Sequence, residues 1–329
     1  MKNALRALIV GSLLLAAGHA AAEQWSPSRP IEIVVPFAAG GVVDITMRTI
    51  APSLSKRLGQ PVVVVNKTGG AGTIGMNQVA KAAPDGHTLG AASFSFAANP
   101  AVVKDMPFDP LKDLTPITQV ARASMLLLVN KNSPVHNVQE FIDWVKSKPG
   151  DLNFTSAGVG TTGHLMAELL LSRAGGLKMT HVPFTHGYAP LMQGHVHFLI
   201  GGIPAAMPWV KDGRLRAIAV TSLEPDSNAP GLETVSKTLP GFETFEWPAL
   251  VGPKGMPREI IDRIQQEVVG VLNEPEIKAK FANLGEQPVG STPDDFRRFI
   301  EEQMKTWADI GRHLSTMREA TAAESEESK

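Results

Sequence analysis

The sequence predicts an α/β protein built from two domains of about 150 residues each. Three observations carry this expectation. Short, continuous apolar runs alternate with amphipathic segments along most of the 329 residues, which is the rhythm of strands covered by helices on both faces. A strand, a turn of small residues and a helix occur in that order twice, over 31–50 and 151–172. A chain of this length also exceeds one typical core.

The first 22 residues read as a secretory signal peptide. Lys2 and Arg6 precede an apolar run from Ala7 to Ala17, and Gly18 to Ala22 supplies small residues for cleavage after Ala22. The run is short for a membrane span, which needs about 20 residues. Cleavage removes Lys2 and Arg6, so the formal charge goes from −1 to −3, and the mature chain is expected to be soluble. No basic stripe marks a nucleic-acid partner. The absence of cysteine excludes disulfides, thiolate nucleophiles and Cys-type zinc sites, and suits a Gram-negative periplasm.

Ile31 to Val35 is a buried strand ended by Pro36. Small residues from Ala38 to Gly41 follow, then a helix with Ile45, Ile50 and Leu54 among its apolar positions. Pro61 to Val65 is a second strand, Thr73 to Ala82 a helix, Pro84 to Gly86 a turn, and His87 to Ala92 a third strand. Strands are expected at 117–120 and 124–129, and a helix at 138–146. Asp151 to Thr155, His195 to Ile200 and Leu215 to Thr221 read as later strands. The C-terminal part is helical over 258–272, 275–284 and 293–314, and a polar tail closes the chain. Continuous apolar strands predict parallel sheets.

Function is sought at the two small-residue turns. A strand end followed by a helix start gathers free backbone N–H groups that suit an anion. In the first turn Phe37 can wall a ligand and Ala38, Ala39, Gly40 and Gly41 can donate. Asp44 would repel an anion and reads instead as an acceptor that shapes the loop. In the second, Ser156, Thr161 and Thr162 add hydroxyls to the backbone at Gly158 and Gly160. His164 reads as ligand contact, loop support or packing. A Ser–His nucleophile pair lacks a G-x-S-x-G elbow. Gly70 to Gly75 matches G-x-G-x-x-G but stands after the second strand with no suitable acid beyond it, a weak dinucleotide signal. His195 and His197 share a strand face without acidic partners between 181 and 200 to complete a metal set. No cofactor is expected.

Taken together, Arg29 to Asp44, Leu58 to Asn66, Gly70 to Gly75, Ala83 to Leu89, Asn153 to Leu165, Gly213 to Ser222 and Trp247 to Pro253 closely resemble the Bug family, periplasmic substrate-binding proteins of tripartite tricarboxylate transporters. The resemblance covers almost all of the mature chain. It implies a two-domain periplasmic-binding-protein fold of type II, a Venus flytrap, with a small carboxylate between the domains. Domain I would comprise 23–123 and 222–318, domain II 124–221, with a disordered tail at 319–329. The family's carboxylate loops map onto Phe37 to Asp44 and Ser156 to His164, and Ser93 and Phe94 would approach the cleft.

The resemblance fails in one region. The stretch from Phe184 to His197 is about three residues shorter than the family pattern, and His197 and Gly201 stand where it commonly has Asp. With Gly201 and Gly202 at the ligand-facing edge, the missing acids imply a receptor that disfavours amino acids and prefers a purely anionic or aromatic acid. The implied role is a non-enzymatic, monomeric receptor that delivers its ligand to a membrane permease or signals to a sensor protein. The alternatives are a secreted α/β hydrolase, or a degenerate member that binds a protein and no solute.

Overall fold

The computed structural model describes residues 25–103, 105–184 and 186–308. The expected signal peptide and polar tail lie outside these residues. The first sheet is formed by β1 (Ile31–Val35), β2 (Val62–Asn66), β3 (Thr88–Ala92), β4 (Leu114–Gln119) and, from far along the chain, β11 (Ala249–Pro253), in the order β2-β1-β3-β11-β4. The second is formed by β6 (Met125–Asn130), β7 (Asn153–Thr155), β8 (Thr180–His181), β9 (Phe198–Gly202) and β10 (Leu215–Val220), in the order β10-β6-β9-β7-β8. A ribbon of β5 (Ala121–Ala123) and β12 (Glu286–Pro288) lies where the chain first passes between the sheets. The second passage runs through 221–248.

Both sheets are mixed, which corrects the expectation of parallel ones. β1 runs parallel to β2 and β3, but β11 is antiparallel to β3 and β4. In the second sheet β6 is antiparallel to β9 and β10, while β7 is parallel to β8 and β9. Continuous apolar runs report burial on two faces, not strand direction. β1 shows that double burial. Ile31, Ile33 and Val35 pack in one core with Met47 and Ile50 of α1 (Val42–Leu58), while Val34 faces the opposite core with Met76 of α2 (Thr73–Ala80). In β6, Leu127 and Val129 join Phe141 of α4 (Val138–Ser147), and Leu126 and Leu128 join Leu191 on the other face.

Three helices differ from the expectation. α3 (Phe94–Val102), α6 (Tyr188–Gln193) and α7 (Ile203–Lys211) are short and rich in Ala, Pro and Gly neighbours, so they lack a clear apolar stripe. The last helix is described over 293–308 as expected, and its expected end at 314 lies outside the described residues. α5 (Thr162–Arg173), α8 (Arg258–Leu272) and α9 (Pro275–Asn283) fall where expected. β9 starts at Phe198, so His195 and His197 precede it, and His197 Nδ1 accepts the Asn153 N–H at 3.1 Å. In the glycine run 70–75, a Cβ on Gly75 would stand 2.7 Å from the Lys67 carbonyl, so this glycine serves the close seating of α2 on the strand end.

Candidate functional site

The ends of β1 and β7 and the starts of α1 and α5 border one cavity of ≈310 Å³. Of the residues expected at a ligand, Phe37, Ala38, Ala39, Gly40, Gly41, Ser156, Thr161, Thr162, Gly201 and Gly202 line it. Asp44, Ser93, Phe94, Gly158, Gly160 and His164 are not among its lining residues.

The reason is the same in both loops. Gly40, at φ +81°, donates its N–H to Asp44 Oδ2 at 2.9 Å. Gly160, at φ +79°, donates its N–H to His164 Nδ1 at 3.3 Å. Each loop glycine is thus held by a side chain four residues on, in the first turn of the helix. Asp44 also accepts from Arg48 and Asn66. Burial raises its pKa, but these hydrogen bonds outweigh that and hold it below the usual value. His164 accepts through Nδ1, so a neutral ring carries its proton on Nε2, toward Glu168 Oε1 at 3.7 Å.

The hydroxyls of the second loop are likewise engaged. Thr161 Oγ1 donates to the Gly158 carbonyl at 2.7 Å, and Ser156 Oγ lies 2.8 Å from His181 Nε2. His181 packs between Phe154 and His164, with ring centroids at 4.9 and 4.4 Å. What remains for a ligand is the backbone at the helix starts. The first N–H groups of a helix have no intrahelical acceptor, and Val42, Val43, Thr162 and Gly163 at those positions all line the cavity.

The sequence did not single out Met125, His186, Tyr188, Leu199, Ile200 or Glu246 as lining residues. Tyr188 is the sole tyrosine of the chain. Its hydroxyl stands 2.5 Å from where a Cβ on Gly201 would sit, so it fills the space an acidic side chain at 201 would need. Burial pushes the Tyr188 pKa up to about 12, so the group is a neutral phenol. Among the described residues, no lysine or arginine lines the cavity. The lobes meet closely beside it: a Cβ on Gly202 would come within 2.7 Å of Val42 Cγ2, across the gap between the two sheets' loops.

Residues 46–315 match the family described as tripartite tricarboxylate transporter family receptor. The chain is 32% identical to protein BugT of Bordetella pertussis over 313 residues, 92% of this chain and 95% of BugT. It is similar to a Rhodopseudomonas palustris protein solved with adipate, at 33% identity and TM-score 0.81, covering 87% of this chain and 97% of that one. It is also similar to MatC of the same species solved with malate, at 31% identity and TM-score 0.80, covering 87% and 99%.

Proposed function

The chain belongs to the tripartite tricarboxylate transporter receptor family, and on that footing we propose that it is an exported, monomeric, non-enzymatic receptor that closes around a small carboxylate and hands it to a membrane permease. Its two-lobed α/β fold is that of periplasmic binding proteins. The observation that carries the proposal is the pair of helix starts, α1 and α5, that present unpaired N–H groups to one cavity with no lysine or arginine among its described lining residues. Such an arrangement suits the grip of a carboxylate. The adipate and malate bound by two relatives support that class of ligand. Hinge closure about the two chain passages would bury it.

Native mass spectrometry of freshly purified protein, followed by calorimetry with the acid it retains, tests the reading. A retained carboxylate that rebinds supports it. A carboxylate library in which no member raises the melting temperature overturns it, since a ligand of the folded form must stabilise that form.

One contact favours a second reading, hydrolysis: Ser156 Oγ to His181 Nε2 at 2.8 Å. Ester turnover lost in Ser156→Ala would establish it.

A further inference from the structure

The cleft contains a carboxyl group that neither loop supplies. Glu246, in the passage between β10 and β11, is 4% exposed and lines the cavity. Its Oε1 accepts the N–H of Phe94 at 2.9 Å and that of Trp247 at 3.1 Å. The Thr162 hydroxyl also turns toward it. Phe94 opens α3 and Thr162 opens α5, so the carboxyl stands at two helix N-termini that come from different sheets. Ser93 makes no side-chain cap bond, and Glu246 caps α3 in its place.

The charge on this group follows from a hydrogen-bond count. Backbone N–H groups only donate, so the two that meet Oε1 favour the ionised form, whereas burial raises its pKa above the usual value. A second buried acid, Glu286, flanks Ala123 from the other side: Ala123 pairs with Glu246 through one bridge and with Glu286 in the ribbon. Thr46 Oγ1 lies 2.8 Å from both the Val42 carbonyl and Glu286 Oε1. The threonine has one proton and the carbonyl can only accept. Both contacts are therefore satisfied when Thr46 donates to Val42 and a protonated Glu286 donates to Thr46. The contacts thus give Glu286 a use for a proton, whereas Glu246 Oε1 meets two donors, the pattern of an acceptor.

We propose that Glu246 restricts the cleft to acids with a single carboxylate and an apolar body, by placing the protein's own carboxylate where a ligand's second one would sit. This rests on the carboxylate reading of the cleft. A second ligand carboxylate near α3 would find the Phe94 N–H already taken and a like charge beside it. No lysine or arginine among the described wall residues offsets that repulsion. Phe37, Met125, Tyr188 and Leu199 offer apolar surface to the rest of the ligand.

Calorimetry on the wild-type protein and Glu246→Gln with two matched pairs, hexanoate against adipate and benzoate against terephthalate, tests the proposal. In the wild type the monoacid of at least one pair binds about tenfold tighter than its diacid, and in the variant that ratio falls about tenfold through a gain in the diacid. Diacids that bind the wild type as tightly as their monoacids, or a ratio unchanged in the folded variant, overturn the assignment of Glu246. The wild-type ranking is read without the variant, so misfolding of Glu246→Gln does not shield the proposal. Failure of all four acids together with a silent carboxylate library overturns the carboxylate reading and this proposal with it.

Discussion

Replacing Glu286 by Gln should stabilise the protein near neutral pH and flatten the dependence of stability on pH. Glu286 is 3% exposed, and burial, partly offset by the hydrogen bond with Thr46 and helped to a smaller extent by Glu246, pushes its carboxyl from 4.5 up to about 8. The folded pKa is raised, so the group's contribution to stability is fully present below the unfolded value and is lost as pH rises through about 8. At ~1.36 kcal/mol per pH unit, the whole window is worth ~5 kcal/mol and the part up to pH 7 about 3 kcal/mol. Glutamine keeps the shape, donates to Thr46 through its amide and has no charge to bury. Urea denaturation between pH 5 and 8.5 reads the effect. This window is set apart from acid loss, because Asp44, Asp85 and Asp109 have lowered pKa values and give up their contributions only at lower pH. The wild type should weaken by several kcal/mol as pH rises, Glu286→Gln should fall less steeply because only the raised Glu246 carboxyl remains in that window, and the gap should approach ~3 kcal/mol near pH 7. Two parallel profiles would refute the assignment of a buried proton to Glu286.

Asp44→Ala removes the acceptor of the Gly40 N–H and should cost ~1–3 kcal/mol of stability with about tenfold weaker carboxylate binding, by thermal melting and calorimetry; undiminished affinity would show that the loop keeps its shape unaided. Gly202→Ala sets a Cβ 2.7 Å from Val42 Cγ2 at an ordinary backbone φ of −66°, so it should leave the unliganded melting temperature unchanged, weaken binding and enlarge the radius of gyration by X-ray scattering; ligand-induced compaction equal to the wild type's would count against close approach at this point. Gly201→Asp collides with the Tyr188 hydroxyl, whereas Gly201→Asp with Tyr188→Ala frees the space, so aspartate binding should appear in the double variant alone; aspartate binding by the wild type would sink the expected bias against amino acids.

The strands that carry both loops were legible because each is short and is stopped by Pro36 or Ser156 before a run of small residues. Ile31 to Val35 and the α1 face with Ile50 and Leu54 could be placed from periodicity. β11 could not: Ala249–Pro253 returns from the second lobe and inserts between β3 and β4, and sequence order says nothing about such an insertion. The small-residue loops pointed correctly to a cavity border, yet the pattern could not show which donors were already spent. Ser156 and Thr161 read as ligand-facing in the sequence and His164 as ligand contact, loop support or packing, and the structure has all three bonded within their own loop. Glu246 carried no signal at all. It lies in a stretch without a long regular element. Its partner Phe94 is 152 residues away along the chain, and Thr162 opens a helix of the other lobe.

The matched behaviour of Gly40 with Asp44 and Gly160 with His164 separates two tasks within the cleft. Each loop uses a side chain of the helix's first turn to hold its own glycine, so on the proposed reading the grip on an anion is left to backbone N–H groups that any sequence would provide there. Changing Asp44 or His164 should therefore weaken all ligands alike. On the proposed reading, discrimination comes from groups that reach the cavity from other segments, among them Tyr188 and Glu246: one fills the space beside Gly201, the other takes the start of α3. Substitutions at these two positions should reorder ligands and leave the shared carboxylate grip in place, a split that a panel of acids measured on Asp44→Ala, Tyr188→Phe and Glu246→Gln would expose.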